Sequence, residues 1–342
     1  MREVGLILAV VLLFVDPLWP SRSSAEPVDA GQRVTGTRPR AAATVGIQGI
    51  DFAANETCVG CHSDQAASWR ASHHALAMQR ATSETVLGDF DDARFEHFGV
   101  STRFSRKGQK FSVSREEAAG ATREYSAAYT FGVHPLQQYL VEFPGGRLQA
   151  LSVAWDVEKK EWFSLYSDSE MRSDDALSLA GRYQTWNSMC AECHSTAFEK
   201  NYDKKSDTYA STWAEINVSC QSCHGPGARH VEWARAGGQG AGGEVGLAVE
   251  FGVSRPRVEI ETCAPCHSRR HPVSASDLTG GPLLDDFLPS TLDQGLYQVD
   301  GQILEEVYVH GSFVQSKMHA AGVRCTDCHD PHGLDLVSQG DA

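Results

Sequence analysis

Apolar and polar side chains alternate between residues 98 and 166. Phe98, Val100, Thr102 and Phe104 alternate with polar neighbours, Lys107-Gly108 reads as a turn, and Phe111 and Val113 resume the pattern. Tyr125, Ala127, Tyr129 and Phe131 repeat it, as do Tyr139, Val141 and Phe143. Pro144-Gly145-Gly146 then turns the chain into Leu151, Val153 and Trp155, and Trp162 to Tyr166 makes a last short segment. A period of two marks strands with one buried face, and short turns between them mark antiparallel hairpins. The pattern predicts a small antiparallel β subdomain over 90–170. Upstream the period changes. Trp69, His73 and Leu76 follow helical spacing on one face, and Arg70, His74 and Ala77 on the next.

At the start, Gly5 to Val15 is an apolar run of eleven residues, followed by Asp16-Pro17 and by the small residues Ser23-Ser24-Ala25. This reads as a secretory signal peptide over 1–25, too short to span a bilayer. No later segment has the length and apolarity of a transmembrane span. Residues 26–50 read as a flexible, polar leader. Gly238, Gly240 and Gly243 match a dinucleotide-binding spacing, but no strand precedes them, so Gly237 to Gly243 is a loop.

Charge narrows the partners. Asp and Glu number 44 against 30 Lys and Arg, a formal net charge of −14. Nucleic acid and anionic lipid need a basic face and are not expected.

The cysteines carry the chemistry. All ten fall in five CxxCH motifs: Cys58-Cys61-His62, Cys190-Cys193-His194, Cys220-Cys223-His224, Cys263-Cys266-His267 and Cys325-Cys328-His329. CxxCH is the attachment motif of c-type haem. Two thiols three positions apart reach two vinyl groups of one porphyrin, and the next residue is set under the iron. Zinc sites pair two CxxC elements, which leaves an odd one here, and a redox dithiol has no use for the added histidine. The sequence therefore predicts five covalently bound c-type haems, with His62, His194, His224, His267 and His329 as proximal ligands. Such haem is attached outside the cytoplasmic membrane, which agrees with export to the periplasmic or extracellular side of a bacterial cell.

Nine histidines remain. The distal candidates are His73 or His74, His97, His230, His310, His319 and His332; His134 and His271 read as structural or surface residues. Methionine raises a haem's potential, but histidine is the abundant donor, so mostly bis-histidine, low-potential haems are expected. The remaining boundaries follow from the motifs: 51–89 holds the first haem, 171–335 holds four more, and 336–342 is a tail. With about 35 residues per haem after Cys190, the porphyrins serve as the apolar filling.

The segments "SHHALAMQ", "YTFGVHPLQQYLVEFPGGRLQ", "SMCAECHS", "EINVSCQSCHGPGARHVEWA", "CAPCHSRR" and "GSFVQSKMHAAGVRCTDCHDPHG" resemble the multihaem cytochromes of the cytochrome c-554 (c-552/4) type. They are similar to the haem portion of bacterial tetratricopeptide-containing multihaem cytochromes. The resemblance implies a haem-cored multihaem cytochrome c fold and exported electron transfer. It implies His74, His230 and His332 as iron ligands and favours His97. The expected fold is mainly α with much irregular loop, with the β subdomain inserted between haem 1 and haems 2–5.

The function expected is electron transfer between redox partners. Ten haem propionates would add to the acidity, so the partner should offer a basic docking face. The alternative is a multihaem oxidoreductase acting on a small nitrogen or sulfur compound at one five-coordinate haem. The CxxCK of pentahaem nitrite reductases is absent, which counts against nitrite reduction but not against a five-coordinate haem with histidine. A weaker alternative is a subunit of a haem filament.

Overall fold

The alternating segments build a sheet that is larger than their pattern announced. The computed structural model describes residues 52–116, 121–238, 245–252, 256–273, 281–290 and 292–337. The expected signal peptide and leader lie outside these residues, as do most of the glycine loop and the end of the tail. Nine strands form one antiparallel sheet: β1 (Met78–Arg80), β2 (Ala93–His97), β3 (Val100–Lys107), β4 (Lys110–Glu116), β5 (Thr122–Phe131), β6 (Leu136–Phe143), β7 (Arg147–Ala150), β8 (Val153–Asp156) and β9 (Glu161–Ser164). Its main path runs β2-β3-β4-β5-β6-β8-β9, with β1 on β5 and β7 on β6. The outer strands β2 and β9 approach each other, and His97 Nε2 meets the Tyr166 carbonyl at 3.2 Å across that seam.

Register explains the two buried faces. Phe104 lies opposite Val113, and Val113 opposite Tyr125. These side chains share one core with Phe90, Phe111, Tyr139, Val141, Trp155 and Trp162. Phe90 is its centre, with its ring edge-on to Phe104, Phe111, Tyr139 and Trp162 at centroid distances of 5.0–5.7 Å. Aromatic pairs prefer such edge contacts. A β-bulge between Ala127 and Tyr129 shifts the register of β5. Beyond it Tyr129 and Leu140 enter a second core with Met78, Leu148, Ala150, Trp186 and Ala191. That core joins the sheet to the second CxxCH segment.

The helices are short: α1 (Asn55–Cys61), α2 (Ser63–Arg70), α3 (His73–Leu76), α4 (Trp186–Met189), α5 (Ala191–His194), α6 (Cys220–His224), α7 (Ala228–Arg235), α8 (Pro256–His267), α9 (Leu283–Asp286), α10 (Val309–Val314) and α11 (Lys317–Ala320). Two small hairpins, β10 (Tyr202–Asp203) with β11 (Thr208–Tyr209) and β12 (Arg270–Pro272) with β13 (Phe287–Pro289), complete the set.

The expected mainly α fold is thereby corrected. Helix and strand each take about 28% of the residues, and one large, nearly closed antiparallel sheet dominates. The physical reason is where apolar filling comes from. The sheet supplies its own aromatic core and so grows to nine strands. The CxxCH segments supply little: α1, α4, α5 and α6 run four to seven residues. Helices this short are marginal without tertiary packing. Among the described residues no helix is long and apolar enough to cross a membrane.

Candidate functional site

Four of the five motif histidines end or immediately follow a short helix: His62 after α1, and His194, His224 and His267 as the last residues of α5, α6 and α8. The helical turn sets both cysteines and the histidine of one motif on neighbouring faces. The motifs are also held against one another. Gln221, beside Cys220, accepts from Ala53 N (2.9 Å) and donates to Ala53 O (2.8 Å), which ties the third motif to the entry of the first. α1 packs against α6, which brings the Cys58 and Cys220 segments together. Arg270 joins the second and fourth motifs: it pairs with Glu192 at 3.1 Å and donates to Cys193 Sγ at 3.7 Å. Cys193 and Cys266 are in thiol contact. Glu259 on α8 receives Thr326 N at 2.8 Å and Thr326 Oγ1 at 2.9 Å, which fixes the fifth motif on the helix of the fourth. Cys263 and Cys325 touch.

Three motif histidines face a second imidazole from a distant segment. His62 and His230 have ring centroids 6.1 Å apart, His267 and His74 6.3 Å, and His224 and His332 6.4 Å. Two imidazoles on opposite sides of one metal need roughly 2 Å per metal–nitrogen bond and about 1 Å from each nitrogen to its ring centre, or about 6 Å in all. Two of these imidazoles have the other ring nitrogen engaged, as a metal-bound imidazole requires. His230 Nδ1 donates to Val245 O at 2.7 Å, and a ring nitrogen of His74 bonds the Pro331 carbonyl. Burial lowers the pKa of His74, His224 and His267, which favours the neutral form that can ligate.

The second motif differs. Burial pushes His194 down to about 4. Its ring meets Phe131, a side chain of β5, edge-on at 4.5 Å, and its buried Nδ1 has no hydrogen-bond partner.

A family described as cytochrome c554 and c-prime matches residues 57–93 and 154–225, about a third of the chain. These segments hold the first three motifs and the His73-His74 helix. Over these segments the chain is similar to that cytochrome family. No curated protein matches it. Two solved structures are similar. The outer cell wall cytochrome OcwA is 15% identical at a TM-score of 0.49, over 85% of this chain and 59% of that one. The undecaheme cytochrome from the S-layer of Carboxydothermus ferrireducens is 16% identical at 0.42, over 84% and 41%. The chain thus spans under two thirds of either neighbour's length.

The other candidate histidines fall in different places. Of the adjacent pair, His74 faces a motif histidine, whereas His73 lies beside His134 at 6.4 Å. His97 sits on the sheet seam, with Phe95 and Phe98 as its ring neighbours. His310 and His319 line one cavity. His271 is exposed on β12. Ligand partners come from segments far apart in the chain, so spacing alone could not pair them. The residues that hold the motifs together, Gln221, Glu259 and Arg270, carried no sequence signal, because a buried polar residue and a surface one look alike in a sequence.

The donor set fits haem. Thiols and a histidine in one helical turn, with a facing imidazole at 6.1–6.4 Å, suit a porphyrin held edge and centre. Among the described residues no cluster of three or more His, Cys, Asp or Glu could hold a bare metal ion.

Proposed function

We propose that the chain is an exported electron carrier with five covalently bound haems, most of them ligated by two histidines. The observation that carries this reading is the recurrence of imidazole pairs at 6.1–6.4 Å, each joining a CxxCH histidine to a histidine of another segment. Bound haem supplies the one-electron iron couple. In this reading Cys58 and Cys61, Cys190 and Cys193, Cys220 and Cys223, Cys263 and Cys266, and Cys325 and Cys328 hold the porphyrins. His230, His74 and His332 cap the irons of His62, His267 and His224. The polar ties between motifs one and three, two and four, and four and five support haems close enough for rapid exchange.

Intact mass and haem quantification test the count: five haems are expected per chain, and fewer would defeat the reading. Electron paramagnetic resonance of the oxidised protein tests the ligation, and low-spin signals for the haems of His62, His224 and His267 are expected.

One observation favours a second reading, an oxidoreductase acting on a small nitrogen or sulfur compound. His194 has Phe131 rather than an imidazole as ring neighbour. A high-spin signal from that haem, shifting on addition of nitric oxide or hydroxylamine, would favour catalysis there. A low-spin, unresponsive haem would exclude it.

A further inference from the structure

The last motif lacks the imidazole pair seen at three others, yet it adjoins a cavity built for one. Thr326 is bound to Glu259, and Cys325 touches Cys263, so the motif lies along α8. Beside it a cavity of about 480 Å³ opens between α8, α9, α10 and α11. Ile260, Leu283, Val314 and Val323 make apolar walls, and His310 and His319 also line it. Val323 stands two positions before Cys325. Leu284 lines the same space and is 71% exposed. An apolar cavity with convergent nitrogen donors is what a porphyrin needs.

We propose that this cavity receives the fifth haem and that His310 is the ligand opposite His329. The inference rests on the five-haem reading above. Two observations separate His310 from His319. α10, which carries His310, packs directly on α8. The His319 ring instead rests against Phe313 at 5.5 Å, on a short helix capped by Ser316.

The test uses the full-length, haem-loaded protein. His310→Ala should leave five haems by mass and convert one haem more than in the parent from low-spin to high-spin. The reduced variant should bind one additional carbon monoxide per chain, and added imidazole should restore the low-spin form. His319→Ala should leave the spin states of the parent. His310→Met covers the case in which the alanine variant matures poorly. It should keep the haem low-spin and raise one reduction potential, because thioether ligation favours ferrous iron. An unchanged spectrum in His310→Ala, a new high-spin haem only in His319→Ala, or unshifted potentials in His310→Met would overturn the assignment. A parent with fewer than five haems would refute the underlying reading instead, and mass reveals this before any variant is made.

Discussion

Tyr139 is fully buried at the centre of the sheet, and its hydroxyl is bonded on both sides. It accepts from Gly88 N at 2.8 Å and donates to Gln137 Oε1 at 2.6 Å. Burial pushes the phenol well above its ordinary range. Tyr139→Phe keeps the ring and orphans the Gly88 donor, so stability should fall by about 1–3 kcal/mol in urea unfolding. Two glycines make a sharper contrast. Gly146 has φ of +72°, and a Cβ there would run into the Tyr209 carbonyl. Gly108 has φ of +62° at the β3–β4 turn but open space around it. Gly146→Ala should therefore cost on the order of 2–3 kcal/mol and Gly108→Ala about 1 kcal/mol, read from denaturation midpoints. Equal costs would mean that backbone strain alone, and not the approach of β11, sets the need for glycine at 146.

At the scale of elements, the sheet and the motif segments are stabilised differently. β5 and β6 bury both faces, one in the aromatic core and one against Trp186 and Ala191. The motif helices are joined mainly by single polar side chains. Arg270 is the clearest: only 7% of its side chain is exposed, it bridges Glu192 and Cys193, and its guanidinium lies 3.7 Å over the Phe287 ring. Lysine cannot reproduce a planar fork stacked on an aromatic face. Arg270→Lys should lower the unfolding free energy by about 2 kcal/mol while haem content stays that of the parent. Fast hydrogen exchange should appear in α5 and α8 together. Exchange confined to one of the two helices would show that the bridge does not couple them.

For the whole molecule, charge is the controlling quantity. The net −14 is raised further by propionates once haem is bound. Electron transfer to a basic partner should slow as ionic strength rises, and transfer to an anionic oxidant should quicken. Stopped-flow rates at low and high salt check this, and the opposite salt dependence would remove the basic docking face from the account.

The same division runs through what could be read before the structure. The five CxxCH motifs are local chemistry, complete within five consecutive residues, so the sequence alone suffices to propose all ten cysteines and five proximal histidines. The strands from Val100 to Ser164 were legible too, since a period of two needs only neighbours. Their joining into a nine-stranded sheet, with β1 and β2 added, was not legible, because it depends on a bulge at Ala127 and on distant pairing. Nor could spacing choose His74 over His73, or set His230 and His332 against motif histidines up to 168 positions away. Such a choice belongs to the tertiary structure, because an iron takes whichever imidazole the fold delivers to its far side.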